Sequence, residues 1–232
     1  MTPSNVLCES QQPPVRSFAY DLRRAIARPR RALNVFCRWT LLAHHADHEF
    51  QSHLARCHRD VHYIMPEAAE LYAIVRAAKP RVIVETGVAS GLSSAHILRA
   101  LAANGAGTLY SIDLPNVQEG SVLPKGRTSG WIVPDSLRDR WKLQLGDTWV
   151  LLPDLLRTLD RLDLFLHDSD HSYEAMVFEY EQAFPKLEPG GLLLSDDTHT
   201  HSAWDDFCAK HSLRPGRVGH LGLTRKPKNV RA

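Results

Sequence analysis

No apolar run among the 232 residues approaches the roughly 20 residues of a membrane-spanning helix, so a membrane span is not expected. Cysteine is scarce. Cys8, Cys37, Cys57 and Cys208 are scattered with neither metal-ligand nor disulfide spacing, which suits a reducing compartment. Net charge is also small: 28 Lys and Arg against 26 Asp and Glu leave +2, too little to argue for nucleic acid. The opening Met1-Thr2-Pro3-Ser4-Asn5 lacks the charged and apolar regions of a signal peptide. Together these absences predict a cytoplasmic protein with neither a membrane nor a nucleic acid as partner. No internal repeat is present, and the length suits one α/β domain with an appendage.

What is present begins with two short apolar runs that break off into acids. One is Leu164-Phe165-Leu166-His167-Asp168-Ser169-Asp170-His171; the other is Leu192-Leu193-Leu194-Ser195-Asp196-Asp197. Runs of this length read as strands buried on both faces of a parallel sheet. Between them, Tyr173, Met176, Val177, Tyr180 and Phe184 recur at helical spacing, and Ser172 is placed to cap the first turn. Pro185 and Glu188-Pro189-Gly190-Gly191 are expected to end that helix and turn the chain. A right-handed crossover makes the two strands parallel neighbours, so Asp168, Asp196 and Asp197 meet at the carboxyl edge of the sheet. Converging carboxylates repel one another, and an all-oxygen set favours Mg²⁺, Mn²⁺ or Ca²⁺ over zinc. Acids that merely cap solvent-facing turns are the alternative.

Upstream, residues 1–63 read as a helical extension, a lid or dimerisation arm with a disordered start, and residues 64–232 as the main domain. The extension is rich in arginine and then histidine; His44 and His48 have an i, i+4 spacing that could hold a metal, but no metalloprotease motif accompanies them and a solvated, weakly basic helix face is the expected reading. A helix from Pro66 to about Ala78 leads to a first strand, Arg81–Glu85, then the loop Thr86-Gly87-Val88-Ala89-Ser90-Gly91 and a helix, Ser93–Ala103. A second strand, Thr108–Asp113, again ends in an acid. Gly87 and Gly91 let the backbone approach a ligand near a helix N-terminus, and Asp113 is placed for a ribose diol. The spacing is not the G-x-G-x-x-G of a dinucleotide site, and no P-loop lysine follows. Glu85, two residues before Gly87, disfavours phosphate and suits the cationic end of a cofactor. The connection Pro115–Arg140 is long and carries Trp131, either a cover over the cofactor or a packed surface insertion. A third strand, Trp141–Leu145, runs into Gly146-Asp147-Thr148; after Asp197 a helix (Ala203–His211) and closing antiparallel strands within Val218–Thr224 complete the pattern.

Acids closing successive strands, with Glu-x-Gly-x-x-x-Gly at the first, resemble the class I S-adenosylmethionine-dependent methyltransferases. Asp168 with His171 three residues on, and the pair Asp196-Asp197, resemble the metal-dependent O-methyltransferases. Those are the TylF/macrocin-type sugar enzymes and, more distantly, catechol O-methyltransferase. The resemblance covers about residues 64–226. It implies a Rossmann-like, seven-stranded, mostly parallel sheet with helices on both faces. It further implies that Glu85, Gly87, Ala89, Gly91 and Ser93 border the methionine part of S-adenosylmethionine, that Asp113 holds its ribose, and that Asp147 and Thr148 border its adenine. Asp168, Asp196 and Asp197 would bind Mg²⁺ or another hard divalent cation, and His171 would serve as general base.

The expected activity is divalent-metal-dependent methyl transfer to a hydroxyl of a small polar acceptor, a sugar or glycosylated natural product. The further acidic ligand and aromatic gatekeepers of the catechol enzyme have no counterpart in the sequence, which turns the expectation from catechols toward sugars. A homodimer through the N-terminal helices is expected. The competing readings are metal-independent O- or N-methylation on the same fold, and a non-catalytic subunit that binds the cofactor and supports a partner.

Overall fold

Seven strands, β1 (Val82–Thr86), β2 (Thr108–Asp113), β3 (Trp141–Leu145), β4 (Leu162–His167), β5 (Leu187–Ser195), β6 (Gly216–Val218) and β7 (Leu221–Arg225), form one sheet in the order β3-β2-β1-β4-β5-β7-β6. β1 to β5 pair in parallel, and β7 runs antiparallel to both β5 and β6. Six helices accompany them with both ends in the described chain: α1 (His48–Cys57), α2 (Ala68–Ala78), α3 (Leu92–Asn104), α4 (Thr148–Thr158), α5 (Tyr173–Lys186) and α6 (Ala203–Lys210). This computed structural model describes residues 39–57, 61, 65–115 and 123–228. The readings for residues 1–38, for His58 and His62 and for 116–122 fall outside that range.

Alternation along the central strands explains why their middles are apolar runs. Ile83, Leu164, Leu166, Leu192 and Leu194 face one layer, where they meet Leu71 and Val75 of α2 and Ile97, Leu98 and Leu101 of α3. Val84, Phe165 and Leu193 face the other layer, against Leu152 and Leu156 of α4, Met176 and Tyr180 of α5, and Trp204 and Phe207 of α6. Both layers are filled by apolar side chains along the middles of these strands, so no polar alternation survives there. Each fully buried Leu or Phe contributes ~1.5–3 kcal/mol relative to an exposed one.

Local chemistry ends the elements where expected, with one exception. Ser172 Oγ accepts from Ala175 N at 3.3 Å and caps α5. Asp147 Oδ1 accepts from Trp149 N at 2.9 Å and caps α4. The exception is the turn anticipated at Glu188–Gly191. α5 continues through Pro185 to Lys186, and β5 starts at once with Leu187 opposite Leu162. The next registered pair is Leu164 with Leu192, so Glu188–Gly191 forms a bulge within β5 rather than a connection before it. Gly190 and Gly191 remain in the ladder through Gly190 N to Lys226 O and Lys226 N to Gly191 O, 2.9 Å each.

From Thr40 onward the chain is a single compact unit. His44 is buried, stacked on Tyr72 with centroids 4.2 Å apart and edge-on to His96 at 4.9 Å. The histidine-rich stretch therefore contributes a core residue at this position, where a solvated face had been expected.

Candidate functional site

The order of the strands reverses between β1 and β4, and their carboxyl ends lie side by side, Thr86 opposite His167. Open α/β sheets bind ligands in the crevice at this kind of switch point. The backbone closes tightly here: Asp168 N donates to Thr86 O at 2.8 Å, and Asp196 N to His167 O at 2.8 Å. Gly87 has φ +80°, and a Cβ on it would lie 1.8 Å from the Asp168 carbonyl oxygen. The need for glycine at 87 therefore comes from the neighbouring strand's own chain. Gly91, at φ +94°, is required by the close approach of Gly130, whose Cα would lie 2.7 Å from a Cβ at 91.

A cavity of about 590 Å³ opens at this edge; Ala89, Ser93, Asp168, His171, Asp196 and Asp197 are among the residues that line it. Asp168, His171 and Asp196 each bring a ligand-type atom within 4.8 Å of the other two. His171 Nε2 is 3.9 Å from Asp168 Oδ1, and His171 Nδ1 is 3.4 Å from Asp197 Oδ2. Burial, Asp196 and Glu85 push the Asp168 carboxyl well above the usual carboxylate range. Burial likewise raises Asp196. Burial and the neighbouring His167 lower His171, against the opposing pull of Asp197 and Asp196. Asp196 Oδ1 and His171 Nε2 are buried and have no hydrogen-bond partner among the described residues. Crowded carboxylates with an unpaired oxygen form a donor set that a hard cation would satisfy. Asp197 itself groups instead with His199 and His220.

The residues assigned to a cofactor divide by position. Ala89 and Ser93 line the cavity. Glu85 is fully buried behind the loop, where its carboxylate accepts from Ser93 and Ser94 at 2.6 Å and from Ser111 at 2.7 Å. Burial raises its pKa, and the three hydroxyls oppose that rise. Glu85 thus ties β1, the start of α3 and β2 together. Asp113 Oδ1 accepts from Val88 N at 3.2 Å and steadies the glycine loop. Asp147 is exposed at the N-terminus of α4, next to half-buried Thr148. The described part of the long connection lies along the loop through Gly130 N to Ala89 O (2.8 Å) and Ile132 N to Ser90 O (3.2 Å). Trp131 is half-buried, with the Arg127 guanidinium 4.3 Å from its ring centre.

Three contributors were not evident from sequence. His167 and Glu179, both wholly buried, form a polar node directly under Asp168. His220, at the turn between β6 and β7, also lines the cavity; a glycine before a histidine in a predicted hairpin was the available signal.

Comparison with known proteins agrees with the fold. Residues 84–198 match the family model described as "Methyltransferase domain". No curated protein matches the chain by sequence. Among solved structures, the O-methyltransferase from Bacillus cereus in complex with SAH is similar at 16% identity and a TM-score of 0.55, over 77% of this chain and 89% of that one. TomG from Streptomyces achromogenes, an O-methyltransferase of tomaymycin synthesis in complex with SAM, is similar at 17% identity and a TM-score of 0.56, over 78% and 90%. The SAH-bound methyltransferase PaMTH1 of Podospora anserina is similar at 14% identity and a TM-score of 0.55, over 94% and 100%. At these identities the shared property is the fold.

Proposed function

We propose that this chain, whose residues 84–198 match a methyltransferase domain, is an S-adenosylmethionine-dependent methyltransferase that methylates a hydroxyl oxygen of a small polar acceptor with the help of a hard divalent cation. The observation that carries this reading is the meeting of Asp168, His171 and Asp196 in a cavity also lined by Ala89 and Ser93. When bound, the donor supplies a methyl group on a sulfonium leaving group, and a divalent cation supplies the positive charge that eases ionisation of a nearby hydroxyl.

The chain's own residues do the rest. Asp168 and Asp196, with Asp197 adjacent, would hold the cation. Ala89, Ser93 and the N-terminus of α3 would bound the methionine end of the donor, and Asp113 the ribose. His171 would take the acceptor's proton. A ring kept neutral by burial and by His167 is a competent base near neutral pH, and Asp197 beside Nδ1 favours the imidazolium that forms. Held on opposite sides of one cavity, donor and acceptor gain from orientation rather than from covalent catalysis.

The O-methyltransferase neighbours from Bacillus cereus and Streptomyces achromogenes support oxygen over nitrogen as the target. A cavity edge set by histidines and acids suits a polyhydroxylated acceptor such as a sugar or a glycosylated natural product. The test is transfer of a labelled methyl group from S-adenosylmethionine to a panel of sugars, glycosides and catechols, with Mg²⁺ or with EDTA. Label on a sugar hydroxyl only when Mg²⁺ is present supports the whole proposal. Equal transfer in EDTA would remove the cation from it, and donor binding without transfer to any acceptor would favour a non-catalytic subunit.

A further inference from the structure

A second set of ligand-type side chains lies beside the first. Asp197, His199 and His220 each bring one such atom within 4.8 Å of the other two. His199 Nδ1 is 3.7 Å and His220 Nδ1 3.6 Å from Asp197 Oδ1. These separations exceed hydrogen-bond length, yet they approach the ligand–ligand edge of a tetrahedral zinc site, about 3.3 Å for bonds of about 2.0–2.1 Å. The two rings stand 4.1 Å apart between centroids, tilted by 51°. Two imidazole rings facing one carboxylate oxygen make a nitrogen-rich donor set.

The backbone beneath these rings is held from both sides. His220 N donates to Glu67 Oε1 at 2.8 Å. His220 O accepts from Thr198 N at 3.3 Å and from Thr198 Oγ1 at 3.0 Å. Glu67 and Thr198 are both buried. Gly219, at φ +58°, allows the approach, because a Cβ there would lie 1.8 Å from Glu67 Oε1. Asp197 itself has φ +48°, a region that non-glycine residues seldom occupy. The rings remain open to solvent, with side-chain exposures of 53% for His199 and 54% for His220, so an ion can reach them.

We propose that Asp197, His199 and His220 form a second cation site, selective for a borderline transition metal of the Zn²⁺ class. Imidazole nitrogens favour such ions, whereas the carboxylate-rich group beside them favours Mg²⁺. Three protein ligands leave a fourth position for water or an acceptor oxygen. Asp197 joins the two groups, with Oδ2 3.4 Å from His171 and Oδ1 turned to the histidine pair. Metal binding here does not depend on methyl transfer and is measured without it.

The test is a calorimetric titration of Zn²⁺ into the untagged full chain, together with a Co²⁺ titration followed by the visible absorption of four-coordinate Co²⁺. The expected result is a Zn²⁺ site whose affinity falls at least about tenfold in His199→Ala and in His220→Ala and changes little in Asp168→Asn. His199→Gln and His220→Gln repeat the test with polar side chains, and an unchanged thermal midpoint establishes that each variant is folded. Zn²⁺ affinity unaltered in folded variants of both histidines, or lost only with Asp168→Asn, would overturn the proposal. So would Co²⁺ spectra that lack the four-coordinate band.

Discussion

Nδ1 of His167 lies 2.6 Å from Oε2 of Glu179, and both side chains are wholly buried. Glu179, on α5, also accepts from Thr86 Oγ1 at the end of β1 and from Ser169 Oγ just beyond β4. Burial alone would raise the Glu179 carboxyl, but His167 and the two hydroxyls together hold it below the ordinary range. One carboxylate thereby fastens the two strand ends that carry the switch point to the helix behind them. Removing it leaves buried donors without an acceptor. Glu179→Ala is expected to cost ~3–5 kcal/mol, as breaking a buried pair does, measured by urea unfolding. A loss under 1 kcal/mol would show that the node is not structural.

Replacing His171 separates binding from chemistry. His171→Ala is expected to keep donor affinity, measured by calorimetry, and to lower turnover by about 10²–10⁴-fold, the usual range for a lost general base. Turnover within twofold of the parent would exclude the base assignment.

The carboxylates give a different signature. Asp168→Asn and Asp196→Asn should each raise the Mg²⁺ concentration needed for half-maximal transfer, while donor binding persists. If neither substitution moves the Mg²⁺ dependence, the ion is held elsewhere.

Gly87 tests the backbone rather than the cofactor. A Cβ at this position would strike the Asp168 carbonyl in a conformation, φ +80°, that alanine adopts only with strain. Gly87→Ala should lower the thermal midpoint with or without donor present. Loss of donor affinity at unchanged stability would return the glycine to a purely ligand-facing role.

Acid stability follows from two buried histidines. Burial and the neighbouring His96 lower His44 to about 4. Burial also lowers His96 to about 4, despite its bond to the Leu92 carbonyl. Both lie below the unfolded value of about 6.5, so between these limits the unfolded chain binds more protons and stability falls as pH falls. The thermal midpoint should therefore drop as pH is lowered from 7 to 4.5, and His96→Gln should flatten that decline. A decline of equal steepness in the variant would place the acid sensitivity in other groups.

Much of this was readable from residue order because the relevant forces are local or follow from chain direction. Burial of both sheet faces makes the middles of β1, β4 and β5 apolar runs, and the right-handed crossover brings Asp168 to Asp196. Ser172 caps its helix because a hydroxyl in that position reaches a free N–H whatever the tertiary context. In sequence the Glu188–Gly191 bulge reads as a turn, since Pro and Gly mark both features, and only pairing with β4 and β7 distinguishes them.

The sequence by itself determined the strand ends, the order of acids along one sheet edge and the spacing of His171 from Asp168, all set by periodicity and connection handedness. Tertiary packing alone decided which way each carboxylate turns. Glu85 points inward because three serine hydroxyls, two from α3 and one from β2, surround it. Asp197 meets His220 because a hairpin tip, held by Glu67 from 153 positions away, folds back over the edge. Contacts between residues so distant in the chain leave no periodic trace, and only the closed fold makes them.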